Sequence, residues 1–284
     1  LLSKFKTLVN QPLEAMTRHD IEIWRTQRLS AGISPGTVNR DIAELRAMLN
    51  RAVEWEFIKK NPIKHLKMLR HDGARIRHLN PEEERRLMET LSQRDIALKD
   101  ARVTANRWRE ARGYSPLPDL TSVAFGDHLT PMVTLALNTG LRRGETFHLR
   151  WSDVDFQKAI ITVSADHAKS GKKRHIPLNK TAHSCLTEWK AQSQTDELVF
   201  PSPITGKPMT NVQKAWSNVV NTASIEDFRW HDLRHTFASK LAMRGIDMNT
   251  IRDLLGHGDL SMTLRYAHLA PEHSARAVQL LDDE

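Results

Sequence analysis

The stretch SPGTVNRDIAELRAMLNRAVEWEFI, residues 34–58, leaves the chain little choice but a helix. Ser34 offers an N-cap acceptor, and Pro35 suits the first helical position, where its missing N–H is no loss. Val38, Ile42, Leu45, Leu49 and Val53 then recur at spacings of three and four, one apolar face, with Arg40, Glu44 and Arg51 elsewhere on the cylinder. HDIEIWRTQRL, just upstream, reads as a second helix of the same kind, and KKNP, ending at Pro62, breaks the pattern. Residues 1 to about 70 are therefore expected to form a small all-helical unit with basic edges.

Residues 67–78, KMLRHDGARIRH, are basic, contain Gly73 and show no clean period, as an interdomain linker would. A second domain opens at NPEEERRLMETL, where Asn80 can cap, Pro81 starts the helix and Glu82 to Glu84 favour its positive end. Helical signals run to about residue 112, and GYSPLPDLTS interrupts them as a surface loop. HLTPMVTLALNTGLRRGETFHL reads as a helix, a break at Gly140 and a second short helix. AIITVS and RHIPL are strand candidates joined by ADHAKSGKK, a β-hairpin with a basic tip. From NVQKAWSNVVNTA to EHSARAVQLLDD the pattern is mostly helical again. The expected fold is mainly α with a small β-sheet (α+β), divided into residues 1–72 and 73–284.

Among 284 residues, 42 Lys and Arg against 34 Asp and Glu leave a net charge of +8, which favours a polyanionic partner, nucleic acid ahead of an acidic membrane surface. The excess is uneven, with 13 basic and 8 acidic residues in positions 1–74. Cys185 is the only cysteine, so the chain can form neither an internal disulfide nor a thiolate zinc cluster, and a reducing cytoplasm fits. No apolar run approaches the roughly 18 residues of a membrane span, and LLSKFKTLVN lacks the apolar segment and cleavage site of a leader. Opening at Leu1 without Met, the sequence reads as a fragment or a processed product.

WHDLRHTFAS, residues 230–239, gathers His231, Arg234 and His235. The histidines have the i, i+4 spacing of a helical metal pair, but no Glu stands between them, and an arginine pointing into the site would oppose a divalent cation. Alone, the segment reads as a solvated helix face. It is one of five strings in order: TGLRRGE (139–145), AKSGKKRHIPL (168–178), HDLRHTFAS (231–239), LLGH (254–257) and TLRYAHL (263–269). Together they resemble the tyrosine recombinases, or phage integrase family. The resemblance covers about residue 78 to the end and reaches, less specifically, over the N-terminal unit, which looks like the family's SAM-like core-binding domain.

The resemblance implies a catalytic set of Arg142, Lys169, His231, Arg234, His257 and Tyr266, with no cofactor and no metal. The chemistry is coherent. Two guanidinium forks can hold the non-bridging oxygens of a phosphodiester under attack. The Tyr266 phenol, with an ordinary pKa of about 10, needs a base or a cationic setting, and His231 is the preferred base. Attack leaves a 3′-phosphotyrosine and a 5′-hydroxyl, which Lys169 can protonate, and rejoining needs no ATP. The family also implies double-stranded recombination sites as substrate, a homotetramer on DNA, accessory DNA-bending proteins, and docking of EHSARAVQLLDDE on a neighbouring subunit or in cis.

Plainer readings stay open beside these. Arg142 could cap carbonyls, while Arg143 reads as a surface residue. Lys169 competes with Lys172 and Lys173, His257 could satisfy a helix-end carbonyl, and Tyr266 could be a buried aromatic, although Tyr114, the only other tyrosine, lies outside every motif. His235 and His268 read as structural or phosphate-adjacent, Glu145 as buttress or cap, and the seven tryptophans as core. Residues 93–128 exceed the family's compact pattern, and their charge suggests a DNA or subunit contact. The rival functions are a type IB topoisomerase and a catalytically silent DNA-binding regulator.

Overall fold

Ser34 accepts a hydrogen bond from the Thr37 amide and starts α2 (Pro35–Glu54), with Pro35 at the head of the helix. Thr17 and Asp20 form the reciprocal box that opens α1 (Arg18–Ser30). Val38, Ile42, Leu45 and Leu49 are all but fully buried against Ile21 and Trp24 of α1 and against Ile58, Ile63 and Leu66 of the segment after α2. The same face buries Asp41, which takes Lys4 at 2.8 Å and Arg28 at 3.0 Å. Burial alone would raise its carboxyl pKa, but these two cations hold it below its ordinary value. Asn39 exchanges hydrogen bonds with the backbone of Leu69, fixing the tail of this unit onto α2.

The computed structural model describes residues 2–8, 12–70, 76–166, 171, 173–193 and 195–270. The chain divides into two units, Leu1–Arg75 and Ile76–Glu284. In the second, Asn80 caps α3 (Pro81–Glu110) in a box with Glu83. Its 30 residues give a rod of about 45 Å. The loop that follows folds back onto this rod. Lys99 donates to the Val123 carbonyl, Arg102 to that of Pro118 and Arg109 to that of Ser115, while Arg94 holds Asp127 through both carboxylate oxygens. Much of the insert's basic charge therefore fixes its own loop.

The core of this unit is α4 (Leu129–Thr139), in which every residue except Asn138 is buried. It packs against α6 (Lys180–Gln192) and α8 (Asp232–Met243). After α4 come α5 (Arg143–Phe147) and the strands β1 (Val154–Asp155), β2 (Ile160–Val163) and β3 (Arg174–Pro177). The sheet is antiparallel in the order β1-β2-β3, with Ile161 opposite Ile176 and Val163 opposite Arg174. The β2–β3 hairpin follows from its alternating side chains; the two-residue β1 gives no comparable signal. Residues 167–170 and 172 at the hairpin tip, and 271–284 with the expected docking segment, lie outside the described residues. The remaining helices are α7 (Gln213–Thr222), α9 (Met248–Leu255) and α10 (Ser261–Leu264).

Of the tryptophans, Trp24, Trp151, Trp216 and Trp230 are buried, as expected of core residues, whereas Trp55 and Trp108 are exposed. Arg112 covers the face of Trp108 at 4.3 Å.

Gly140 closes α4 with a φ of +63°, and a Cβ there would sit 2.5 Å from Cδ1 of Phe237 and 3.0 Å from Cδ2 of Leu255. Gly140→Ala is therefore expected to lower unfolding stability by at least about 2 kcal/mol in denaturant titrations. Gly144→Ala, where a Cβ meets nothing within 4 Å, is expected to be neutral or slightly stabilising.

Candidate active site

The left-handed turn at Gly140 redirects the chain so that Arg142 becomes the residue before α5. Glu145, one turn on, accepts the Arg142 amide at 2.8 Å and its Nη1 at 2.9 Å, so it both caps the helix and buttresses the arginine. Its two oxygens also take Nη1 and Nη2 of Arg174 at 2.9 and 2.6 Å. Burial alone would raise the Glu145 pKa, yet Arg174, and then Arg142, bring it below its ordinary value.

Arg234 of α8 is 3% exposed. Its Nη1 donates to the Gly140 carbonyl at 2.7 Å and its Nη2 to that of Leu255 at 2.6 Å. Arg142 Nη2 donates to the next carbonyl, Gly256, at 3.0 Å, and Arg174 Nε to Leu254 at 3.1 Å. These acceptors lie at the C-terminal ends of α4 and α9, the negative ends of the helix dipoles. Burial first, and then the neighbouring Arg142, lower Arg234 to about 9. Arg142 and Arg174 thus share the Glu145 carboxylate while Arg234 lies close enough to feel all three charges, an excess of positive charge that an anion would relieve.

Gly256, at φ +63°, caps α9, and a Cβ there would come within 2.8 Å of Arg174 Cδ. His257 follows, and its Nδ1 lies 2.8 Å from the hydroxyl of the buried Thr263. Desolvation, with Arg234 and Arg142 next, pushes it down to about 3, so the ring is neutral at pH 7. Its described ring contact is this hydroxyl, not a helix-end carbonyl.

Tyr266 follows α10 and is 1% exposed, packed in a cluster with Ala238, Ala242, Ile251 and Leu255. Its Oη lies 2.6 Å from Nδ1 of His235. Burial raises the phenol's pKa, against the pull of Arg234 and Arg265. His231 precedes α8 at its exposed N-cap, with its ring edge-on to His235 at 5.0 Å between centroids. Burial first, and then His231, Arg265 and Arg234, lower His235 to about 4.

The structure thus brings together Arg142, Arg234, His257 and Tyr266, with His231 beside them, while Lys169 lies outside the described residues. Arg143, His268 and Tyr114 are exposed. Sequence reasoning missed Arg174, Thr263 and the bond made by His235. Arg174 did carry a signal, since in RHIPL it shares the inward face with Ile176. No three His, Cys, Asp or Glu among the described residues are placed to hold a metal ion, and no described helix is long and apolar enough to cross a membrane.

Comparison with known proteins gives a consistent result. The phage integrase family model matches residues 124–273, and the phage integrase N-terminal domain model matches residues 1–70. The integrase of Salmonella phage P22 is 29% identical over 250 residues, 84% of this chain and 55% of that protein. The tyrosine recombinase XerC of Pediococcus pentosaceus is 26% identical over 270 residues, 90% of this chain and 78% of that protein. The chain spans little more than half the length of the P22 relative. The Tn1549 transposon integrase in complex with transposon right end DNA superposes with a TM-score of 0.72 at 21% identity, covering 96% of this chain and 88% of that one. A lambda integrase dimer bound to a COC′ core site gives 0.67 at 18% identity, covering 95% and 88%. These two structures show a shared fold.

Glu145→Gln leaves the buried Arg174 and the half-buried Arg142 without their counter-charge and is expected to destabilise the protein by about 3–5 kcal/mol in denaturant unfolding. Because the folded pKa of Glu145 lies below its unfolded value, the stability it supplies is full above about pH 4.5 and lost as pH falls through the folded value. The Gln variant is expected to lack that part of the acid limb in a pH series.

Proposed function

The chain belongs to the phage integrase family, the tyrosine recombinases, and from that premise we propose that it is a site-specific DNA recombinase serving integration or excision of a phage or other mobile element. The observation that carries this reading is the cation-rich centre in which Arg142, Arg234 and neutral His257 converge beside the Tyr266 hydroxyl. A phosphodiester suits such a centre by its negative charge and by the N–H donors that guanidiniums offer.

In the proposed reaction the guanidiniums of Arg142 and Arg234 bind the non-bridging oxygens, and His231 and His257 are directed at the same phosphate. The Tyr266 oxygen bonds to phosphorus as the bond to the 5′ oxygen breaks. Lys169, on the β2–β3 hairpin, protonates the departing 5′ oxygen. The covalent 3′-phosphotyrosine conserves the bond energy, so a second 5′-hydroxyl reverses the step without ATP. Residues 1–72 serve as the core-binding domain and residues 73–284 as the catalytic domain. A homotetramer on two duplexes, accessory DNA-bending proteins and a cytoplasmic, nucleoid-associated location complete the proposal. The match of residues 1–70 to an integrase N-terminal domain supports a recombinase over a type IB topoisomerase.

A nicked suicide duplex tests the proposal, since loss of the short 5′ fragment traps the adduct. The wild-type chain is expected to form a covalent complex, Tyr266→Phe none, and Arg142→Ala or Arg234→Ala about 10²- to 10³-fold less per unit time. Lys169→Ala is expected to be slow on the ordinary duplex but close to wild type when a 5′-thiolate, which needs no acid, is the leaving group. A persistent adduct in Tyr266→Phe would overturn the nucleophile assignment.

A further inference from the structure

We propose that His235 is a further catalytic residue, the group that accepts the phenolic proton of Tyr266 as its oxygen attacks phosphorus. This rests on the reading of Tyr266 as nucleophile and gives the base role to His235 in place of His231, the base preferred from the sequence. A base must lie within hydrogen-bond reach of the proton it removes, and His235 Nδ1 stands 2.6 Å from Tyr266 Oη. The contact is built into the fold. His235 follows Arg234 on α8, while Tyr266 is buried in one apolar cluster with Ala238 and Ala242 of the same helix. The partner of the phenol is thus set by the packing that also places a phosphate-binding guanidinium.

Protonation states fit the role. A neutral phenol keeps its proton, so O–H donates to a lone pair on Nδ1, and the imidazole carries its own hydrogen on Nε2. The groups facing His235 are cationic or titratable: His231 just before its helix, Arg234 on it, and Arg265 beside Tyr266. They disfavour an imidazolium while the site is empty. A phosphodiester bound at Arg142 and Arg234 brings negative charge to their side, and further charge develops on it during attack, so the proton acceptor strengthens when substrate is in place. In the forward step the Tyr266 O–P bond forms and the P–O5′ bond breaks. The phenolic proton passes to His235 Nδ1, and the departing O5′ takes a proton from Lys169. Rejoining returns both protons to their starting places.

The experiment is single-turnover adduct formation on the nicked suicide duplex with the full chain, comparing wild type, His235→Ala, His235→Asn and Tyr266→Phe, with duplex binding measured for each. Asn places its Oδ1 close to the position of Nδ1, so it accepts the phenol's hydrogen bond but cannot take its proton. Both His235 variants are expected to bind duplex as wild type does and to form adduct about 100-fold more slowly. Added imidazole is expected to restore the Ala variant at least tenfold and to leave the Asn variant slow. An Asn variant within about threefold of wild type would show that the hydrogen bond alone suffices and would overturn the proposal; so would an Ala rate that imidazole leaves unchanged. Should the Ala variant fail to bind DNA, the near-isosteric Asn variant decides. Adduct formed by Tyr266→Phe removes the nucleophile reading itself, whereas an inert Tyr266→Phe with a fast His235→Asn removes only the role of His235.

Discussion

The Glu145 carboxylate, shared between Arg142 and Arg174, is the interaction on which the catalytic unit depends. It joins the start of α5 to the first residue of β3, and both guanidiniums continue from it to the carbonyls at the end of α9. A cation as deeply buried as Arg174 could not be tolerated without that charge, and a carboxylate so deeply buried could not stay ionised without its two partners. The hairpin that carries Lys169 is rooted in the same node, because Arg174 forms its returning strand. The start of α5 and the returning strand of the hairpin, separate in sequence, thus share one anchor.

Much of the fold was legible because its signals are local. Ser34, Asn80 and Gly140 act as start and stop residues through their own side chains and backbone preferences, so the helices they bound could be read one at a time. The two strands of the hairpin showed themselves by alternation. Asp41 did not, since what permits its burial is Lys4, 37 positions away, together with Arg28. The loop contacts of the insert were hidden for the same reason. Its charge is visible in the sequence, but the carbonyls that Lys99, Arg102 and Arg109 reach are set by how the loop returns.

The candidate site divides along the same line. Five short strings in fixed order disclosed the family, and the structure gathers most of the residues they name. His235 had no role in any string because its partner lies 31 residues away, across a contact made by helix packing. Gly256 ends α9, and Arg174, 82 positions away in the sequence, occupies the space that a Cβ there would fill. The candidate site in this unit is built from pairs that lie far apart in the sequence.

The acceptors that hold Arg234 are the carbonyls of Gly140 and Leu255, and those for Arg142 and Arg174 at α9 are Gly256 and Leu254. Because these oxygens belong to the backbone, they persist whichever side chain stands at Leu254 or Leu255. The guanidiniums are therefore insulated against sequence drift in their supports, provided the two helices end where they do. The apolar side chains at Leu254 and Leu255 can change without removing an acceptor, whereas Gly140 and Gly256, both at positive φ, hold the turns that aim these carbonyls.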